Sequence, residues 1–447
     1  MVTIDGKLNP AQILVLGFAA VILIGAMLLT LPIASKSGES IGFIDALFTA
    51  TSAVCVTGLV VVDTGTYWSG FGQVVITLLI QIGGLGFMTM ATLVALIFGK
   101  KITLRERLVM QEALNQFNIQ GIVRLTQYIL ITTFIIEGIG AILLSIKFIP
   151  IYGLWKGIAY SIFHSISAFC NAGFDLIGDF KSLTPFVKDP LVNIVVCVLI
   201  VSGGLGYSVV LEILQKRSFR RFSLHTKLVL LITGILAVMG FIVILALEYN
   251  NADTMGGLPF KGKLLSAMFH SITPRTAGFN TLPTDKLTMA SIFFTIVLMF
   301  IGGSPAGTAG GVKTTTAGVL LWTIISEIRG KTDTEIFHRR IPREIVSRCL
   351  AIVGIAGALV VMVTMLLTIT EKGHSFLEIF FETTSAFGTV GLSLGITPKL
   401  TPIGRIILSL TMFAGRVGPL TVALALASQQ QKNKGAYKYP EEKVIVG

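Results

Sequence analysis

Long apolar segments alternate with short polar stretches along most of the chain. Eight segments hold about 20 or more mainly apolar residues, the length that a helix needs to cross a bilayer. The sequence therefore predicts an all-α membrane protein whose spans are residues 11–33, 71–98, 122–149, 191–214, 226–248, 287–325, 345–370 and 402–428.

A second kind of apolar stretch, rich in Ser and Thr, occurs four times between consecutive spans and runs into a glycine. The four are ALFTATSAVCVTGL, SIFHSISAFCNAGF, AMFHSITPRTAGF and IFFETTSAFGTVGL. Because each is too short to cross, we predict a re-entrant pore helix and extended loop, enclosed by protein or by a water-filled cavity. One hydroxyl residue recurs in all four and is expected to bind carbonyls or the loop that follows: Ser52, Ser167, Thr273 and Ser385.

Together the two patterns predict four tandem span–pore-helix–span repeats with pseudo-fourfold symmetry around one pore. The repeats are residues 1–105, 106–220, 221–342 and 343–430, followed by a cytoplasmic tail at 431–447. Their pore loops are residues 42–60, 155–175, 262–280 and 374–393. The third loop is one residue shorter than the others and contains Pro274 and Arg275, so the pattern defines its geometry least.

Composition and charge agree with a membrane protein. The 447 residues are 53% hydrophobic and only 13% charged, whereas about a quarter of the residues are charged in soluble domains. The net charge of +12 comes largely from loops around 99–121, 215–227 and 327–344 and from the tail after Lys432. Every second loop between spans is basic, so these loops lie on one side of the membrane, and an excess of Lys and Arg marks the cytoplasmic side. We therefore expect both termini to be cytoplasmic and no binding of nucleic acid.

The four loops end in VTG, NAG, TAG and TVG. Glycine adopts positive φ without steric cost, so it allows successive carbonyls to face one axis. Four such strands can form a ring of carbonyls that replaces the hydration shell of a monovalent cation. The alternative is that the loops are tight turns that only join hairpins. The candidate ion-filter residues are Val56, Thr57, Gly58, Asn171, Ala172, Gly173, Thr276, Ala277, Gly278, Thr389, Val390 and Gly391.

A second landmark is a pair of small residues in the middle of each second span. The pairs are Gly83-Gly84, Gly203-Gly204, Gly302-Gly303 and Ala414-Gly415, and ordinary close packing of helices is one explanation for them. In the third repeat the pair opens the stretch IGGSPAGTAGGVKTTTAG at 301–318. Its glycines and proline cannot continue a regular helix. We predict an intramembrane loop with Gly302, Gly303, Gly310 and Gly311 as mobile points.

Two basic residues fall inside predicted spans, where a charge marks a functional site by default. Lys313 belongs to the intramembrane loop, and the alternative is a side chain that reaches the interface or caps the broken helix. Arg416 follows the small pair of the fourth repeat. It is a candidate to hinder cations or to bind carbonyls of the 301–318 loop and hold a gate shut. The alternative is a bridge between helices.

The fourfold span–pore-loop–span order and the endings VTG, NAG, TAG and TVG resemble the Trk/Ktr/HKT superfamily of potassium transporters. The bare eight-span core with basic loops is most similar to the membrane subunits of bacterial Ktr systems, over residues 11–428. In that family a glycine in all four loops accompanies potassium uptake, and serine in the first loop accompanies sodium. Gly58 therefore implies potassium as the transported ion.

The resemblance implies further properties of the chain. It implies that the 301–318 loop lies below the filter and gates the pore. It also implies that the protein lies in the cell membrane of a bacterium. It also implies a homodimer on a cytosolic ring of RCK-type regulatory subunits (KtrA), which bind ATP or ADP. No cofactor is expected in this chain itself.

Coupled transporters and membrane ATPases are two other classes of protein with many apolar spans. A secondary transporter that couples potassium to sodium or protons is the alternative, but such proteins usually contain inverted repeats. The repeats predicted here all run in the same direction, which favours a pore. A membrane ATPase needs a nucleotide domain and a catalytic constellation, and the sequence contains neither. We therefore expect no enzymatic activity.

Overall fold

The structure, a computed structural model, describes residues 10–97, 102–113 and 121–418. Outside these residues lie the predicted tail at 431–447, the end of the eighth predicted span and parts of the basic loop at 99–121. In chain order the helices are α1 (Pro10–Thr30), α2 (Phe43–Val54), α3 (Thr64–Tyr67), α4 (Gly70–Leu85), α5 (Phe87–Ile97), α6 (Leu104–Ala113), α7 (Ile122–Tyr152), α8 (Leu154–Phe169), α9 (Pro190–Gly204), α10 (Tyr207–Lys216), α11 (Leu224–Glu248), α12 (Phe260–Ile272), α13 (Met289–Phe300), α14 (Thr314–Ile328), α15 (Arg343–Thr370), α16 (Phe376–Gly388) and α17 (Pro402–Val417).

The long apolar helices agree with the first span of each predicted repeat. Among the described residues, α1, α7, α11 and α15 are long and apolar enough to cross a membrane. Two bent pairs, α4 with α5 and α9 with α10, raise that number to as many as six. The shorter helices α13 and α14 flank the predicted interruption of the sixth span. Helix α17 covers the described part of the eighth predicted span.

Four short helices lie inside the predicted pore loops, as the sequence suggests. They are α2, α8, α12 and α16, and each packs against the long helix that precedes it. The C-terminal half of each is largely buried in the protein, which removes its polar end from lipid. A phenylalanine recurs at one position and is almost fully buried in every copy, as Phe48, Phe163, Phe269 and Phe381.

The second spans differ from the prediction because the chain turns sharply inside them. Helices α4 and α5 meet at 102°, and α9 and α10 meet at 101°. The turns lie at Gly86 and Gly206, whose φ angles of 83° and 89° end the preceding helix. The predicted spans at 71–98 and 191–214 are therefore each divided into two helices by a sharp bend. The break in the third repeat is one of a series.

The predicted intramembrane loop is also shorter than expected. Helix α13 ends at Phe300 and α14 begins at Thr314, so the non-helical stretch is 301–313 and not 301–318. The last residues of the predicted loop, from Thr314 to Gly318, form the first turn of α14. Threonine and alanine continue the helix there because no proline or left-handed glycine interrupts it.

One basic loop contains a small β-hairpin, which corrects the all-α prediction. Strands β1 (Thr334–Ile336) and β2 (Arg339–Ile341) are antiparallel, with Thr334 opposite Ile341. Alternate residues of β1 are buried, as expected for a strand with one face on a core, and β1 packs against α14.

Candidate functional site

The four loop ends lie side by side and close a ring. A Cβ atom added to any of the four glycines would overlap a carbonyl oxygen of a neighbouring loop. The pairs are Gly58 with Ala172, Gly173 with Ala277, Gly278 with Val390, and Gly391 with Thr57. Because the fourth pair returns to the first loop, the candidate filter residues of all four loops are brought together.

The backbone of these loops repeats one conformation. The four glycines have φ angles of 93°, 69°, 79° and 87°, as the sequence predicts. The residue two positions earlier also has positive φ in every loop, at 57°, 60°, 74° and 51°. These residues are Val56, Asn171, Thr276 and Thr389, and none is glycine. Sequence reasoning missed this second position, because side chains rarely adopt such a conformation and a β-branched valine least of all.

The recurring hydroxyl residues bind the loop that follows them, as predicted. The hydroxyls of Ser52 and Ser385 accept the N–H groups of Gly58 and Gly391 at 3.0 and 3.1 Å. In the other two loops the hydroxyl donates to the carbonyl after the glycine. Ser167 donates to Phe174 at 2.7 Å, and Thr273 donates to Phe279 at 2.5 Å.

A backbone bond explains how the shorter third loop keeps the same form. The N–H before each filter glycine donates to the carbonyl of the hydroxyl residue. Thr57 reaches Ser52 at 2.8 Å, and Ala172 and Val390 make the matching bonds in their loops. In the third loop Ala277 donates to Thr273 at 2.9 Å, across one residue fewer.

The ring opens on one side into a cavity of about 530 Å³. All four filter glycines line it, so a single cavity that is wide enough for water is in contact with every loop. Carboxylates also line its wall, and Asp63 is fixed there because its side chain accepts the N–H groups of Thr66 and Phe180, both at 2.7 Å. Acidic groups around such a vestibule raise the local concentration of cations. The acidic residues in the wall are Asp63, Asp175 and Asp285.

The intramembrane loop packs against the ring. Gly310 lies against the side chain of Thr389, a candidate filter residue, and Gly311 lies against Gly388. The loop is closed at its base because Gly302 donates to the carbonyl of Val312 at 2.9 Å. Added Cβ atoms on Gly302 and Gly303 would meet Gly310 and Ala309, so these glycines allow the two arms of the loop to touch.

The bend between α9 and α10 in the second repeat forms hydrogen bonds with the intramembrane loop. Ser304 donates its N–H to the carbonyl of Gly204, and the N–H of Tyr207 donates to Ala306, both at 2.9 Å. The bend at Gly206 therefore exposes backbone groups that would be satisfied inside a straight helix. The sequence gives no sign of this contact, since the partners are about 100 residues apart.

Arg416 binds three carbonyls on two different elements. Its guanidinium donates to Thr308 of the intramembrane loop, to Gly83 at 2.5 Å and to Gly84 at 3.2 Å. The side chain therefore contacts the loop, as predicted, and also bridges α17 and α4. Its role in gating stays a prediction. Lys313 is half-buried, and its Nζ donates to Ala309 within the loop at 2.6 Å.

One buried polar group near the ring was not assigned from the sequence. Glu137 in α7 is 5% exposed, and Gln81 Nε2 donates to both of its carboxylate oxygens at 3.2 Å. The available signal was an acidic residue inside an apolar span. Its partner was not predictable, because Gln81 belongs to another repeat.

Comparison with known proteins places the chain in a family. The family model described as TrkH, cation transport protein, matches residues 7–435. The chain therefore belongs to the TrkH family of cation transport proteins. It is 47% identical to the Ktr system potassium uptake protein B of Bacillus subtilis, over 99% of this chain and 97% of that protein. It is 44% identical to the potassium/sodium uptake protein NtpJ of Enterococcus hirae, over 99% and 98%.

A solved structure supports the fold. The crystal structure of the potassium transporter TrkH from Vibrio parahaemolyticus matches with a TM-score of 0.74 and 17% identity. The match covers 94% of this chain and 86% of that one. The bent pairs and short buried helices described above therefore belong to an architecture that an experimental structure shares.

Proposed function

We propose that the chain carries potassium into the cell through a pore whose selectivity filter is the ring of four loops. The observation that carries the proposal is the cyclic closure of the ring, in which each glycine faces a carbonyl of the next loop. Such carbonyls replace the hydration shell of a monovalent cation. Each pore helix ends just before its loop, so the negative end of its dipole faces the cation. The printed name of the Bacillus relative supports potassium as the ion.

The repeats surround the pore with pseudo-fourfold symmetry, and the 301–313 loop is its gate. The contacts of Gly310 with Thr389 and of Arg416 with Thr308 support this role. A loop that touches the filter and is held by one arginine obstructs ions while the hydrogen bonds last. Movement of the loop away from Arg416 opens the path.

The chain works as a homodimer in the bacterial cell membrane, with its basic loops and both termini in the cytoplasm. A cytosolic RCK-type ring (KtrA) with bound ATP or ADP controls the gate. The naming of the Bacillus relative as protein B of a Ktr system supports a partner subunit. The β-hairpin in the basic loop at 327–344 offers exposed Arg339 of β2 for such a contact.

Coupled transport is the second candidate. The Enterococcus relative is named a potassium/sodium uptake protein, which favours a role for sodium. Coupling would make potassium flux depend on the sodium gradient, whereas a pore passes potassium down its own gradient. The two mechanisms therefore differ in a measurable way.

The test of the filter is the variant Gly58→Ser in a potassium-uptake assay with the purified chain in liposomes. A side chain at Gly58 meets the carbonyl of Ala172, so we expect the preference for potassium over sodium to fall by about tenfold or more. Gly42→Ser is the control, because Gly42 has a similar φ of 87° but nothing near its Cβ position. Unchanged preference in Gly58→Ser would refute the filter assignment.

A further inference from the structure

Glu137 is a buried carboxyl beside the ring, without a basic partner. No Lys, Arg or His among the described residues forms a salt bridge with it. Its carboxylate instead accepts two hydrogen bonds from Gln81 at 3.2 Å and one from the Cys170 thiol at 3.8 Å. An ionisable side chain at membrane depth is costly, so its presence indicates a specific task.

The three side chains join three elements of two repeats. Gln81 lies in α4, Glu137 in α7, and Cys170 caps the end of the pore helix α8. The Cys170 thiol also lies 3.8 Å from the amide oxygen of Gln81. A fourth bond runs from the Ser165 hydroxyl of α8 to the backbone carbonyl of Glu137 at 2.6 Å. Glu137 therefore ties both the body and the end of this pore helix to α7.

The link leads directly into the candidate filter. Cys170 precedes Asn171, whose positive φ of 60° begins the filter turn of the second loop. The carbonyl of the following residue, Ala172, faces Gly58 of the neighbouring first loop. A displacement of Cys170 therefore changes the position of a carbonyl that borders the ion path.

Among the described residues, the first and third repeats have apolar side chains at the place of Glu137. In the first three repeats a glycine of the long helix lies against a leucine of the helix that comes after the pore helix (α4, α9 or α13). The pairs are Gly25 with Leu79, Gly140 with Leu199, and Gly240 with Leu298. Three residues before these glycines stand Ile22, Glu137 and Ala237. Apolar residues satisfy the packing there, so the carboxyl is not needed for helix contact as such.

We propose that Glu137 is a positioning residue that, through Gln81 and Cys170, fixes the second filter strand and sets its discrimination between potassium and sodium. The inference rests on the proposed function of the loops as a filter. Loss of the carboxyl leaves the Gln81 amide N–H without its acceptor, and it leaves the Cys170 thiol with the amide oxygen of Gln81, which is not anchored to α7. The turn at Asn171 then relaxes, and the ring accepts the smaller, more strongly hydrated ion more easily.

The experiment compares potassium and sodium uptake by the full chain in liposomes for wild type, Glu137→Ala and Glu137→Gln. We expect the potassium-to-sodium ratio of Glu137→Ala to fall about tenfold, the factor for one buried donor left without an acceptor. Glu137→Gln keeps an acceptor oxygen and is expected to stay within about twofold of wild type. A normal ratio in Glu137→Ala, or an equal fall in both variants, overturns the proposal.

The control is Glu371→Ala, which removes another buried carboxyl. Glu371 accepts the N–H of Thr401 at 2.9 Å, in a different repeat from the link. We expect its ratio to remain normal. Absence of potassium flux in wild type would instead refute the proposed function. If Glu137→Ala does not fold, Gln81→Leu removes the donor at similar volume, and the same fall is expected.

The S–H stretching band of Cys170 gives a readout that does not depend on ion flux. Infrared difference spectra against Cys170→Ala isolate this thiol from Cys55, Cys197 and Cys349. We expect the band at lower frequency in wild type than in Glu137→Ala, because hydrogen bonding weakens the S–H bond. Identical bands in the two proteins contradict the link.

Discussion

A single hydroxyl beneath each loop fixes the transition from pore helix to ring. Ser52 and Ser385 hold the N–H of the filter glycine, whereas Ser167 and Thr273 hold the carbonyl that follows it. The same position therefore binds a donor in two loops and an acceptor in the other two. A hydroxyl is suited to this task because it both donates and accepts.

The variant Ser52→Ala tests this role. It leaves the N–H of Gly58 without its acceptor, which costs about 1 kcal/mol for a single buried bond. We expect a fall of about fivefold in the potassium-to-sodium uptake ratio. The measurement is competitive uptake in liposomes at equal concentrations of the two ions.

Thr49→Ala is the matched control for Ser52→Ala. Thr49 lies one turn earlier in α2 and donates to the carbonyl of Asp45 at 2.9 Å, an ordinary bond within a helix. Its removal is expected to leave the ratio unchanged. Equal ratios in the two variants would mean that the hydroxyl beneath the loop has no special role.

Among the elements, the pore helices were predictable and the bends were not. Short length, Ser and Thr content and a terminal glycine mark α2, α8, α12 and α16 without any knowledge of their neighbours. The bends at Gly86 and Gly206 directly follow the pairs Gly83-Gly84 and Gly203-Gly204, for which close packing of helices was an equally good explanation. Hydropathy reports burial in the bilayer and not the direction of the chain. The sequence predicted carbonyls of the 301–318 loop as partners of Arg416, and Thr308 belongs to that loop, but it did not predict Gly83 and Gly84.

The 301–313 loop, which we propose as the gate, is the element for which one side chain should matter most. Arg416 donates to carbonyls of Thr308, Gly83 and Gly84. Each bond to a charged donor contributes about 1.5–3 kcal/mol. Arg416→Ala is therefore expected to raise potassium flux of the isolated chain by about tenfold or more. The measurement is flux in liposomes with and without the regulatory ring.

Arg405→Ala is the control for the gate, because it removes an arginine from the same helix. Arg405 forms an ion pair with Asp45 and donates to the carbonyl of Pro398 at 3.0 Å, away from the loop. The potassium flux of Arg405→Ala should respond to the proposed regulatory subunits as the flux of the wild type does. If Arg416→Ala behaves as wild type in both conditions, Arg416 is not part of the gate.

Buried carboxyls at the ends of long helices hold the helices that follow. Glu248 of α11 accepts the N–H of Thr288, the residue that caps α13, at 2.9 Å. Glu371, just after α15, accepts the N–H of Thr401, which caps α17, at the same distance. The third and fourth repeats therefore use one device to fix the start of the second span.

Glu371→Ala should consequently destabilise the protein. It removes the acceptor of both the N–H and the hydroxyl of Thr401. We expect the free energy of unfolding to fall by about 1–3 kcal/mol, the cost of unsatisfied buried donors. Melting temperature in detergent measures the effect, and exposed Glu344→Ala should leave it unchanged. An equal melting temperature for the two variants would exclude the role of Glu371.

For the whole molecule, near-symmetry and asymmetry occupy different levels of the pore. At the ring, all four loops share the positive φ pattern and the closing contacts. Beneath it, the loop at 301–313 comes from one repeat, its dock at Gly204 from another, and Arg416 from a third. A symmetric ring suits an ion that approaches along the axis. An asymmetric loop suits a gate, because one displacement then opens the path.

The direction of the repeats leads to the last prediction, which concerns coupling. Among the described residues, all four short helices follow a long helix and precede a second apolar segment, an order that favours one path over the inverted halves usual in coupled transporters. We expect currents through Arg416→Ala in planar bilayers to reverse at the potassium equilibrium potential. A tenfold change in the sodium gradient should leave that potential unchanged, because the ring and not a sodium site sets the flux. A reversal potential that follows both gradients in a fixed ratio would instead establish coupled transport, and the name of the Enterococcus relative would then describe this chain as well.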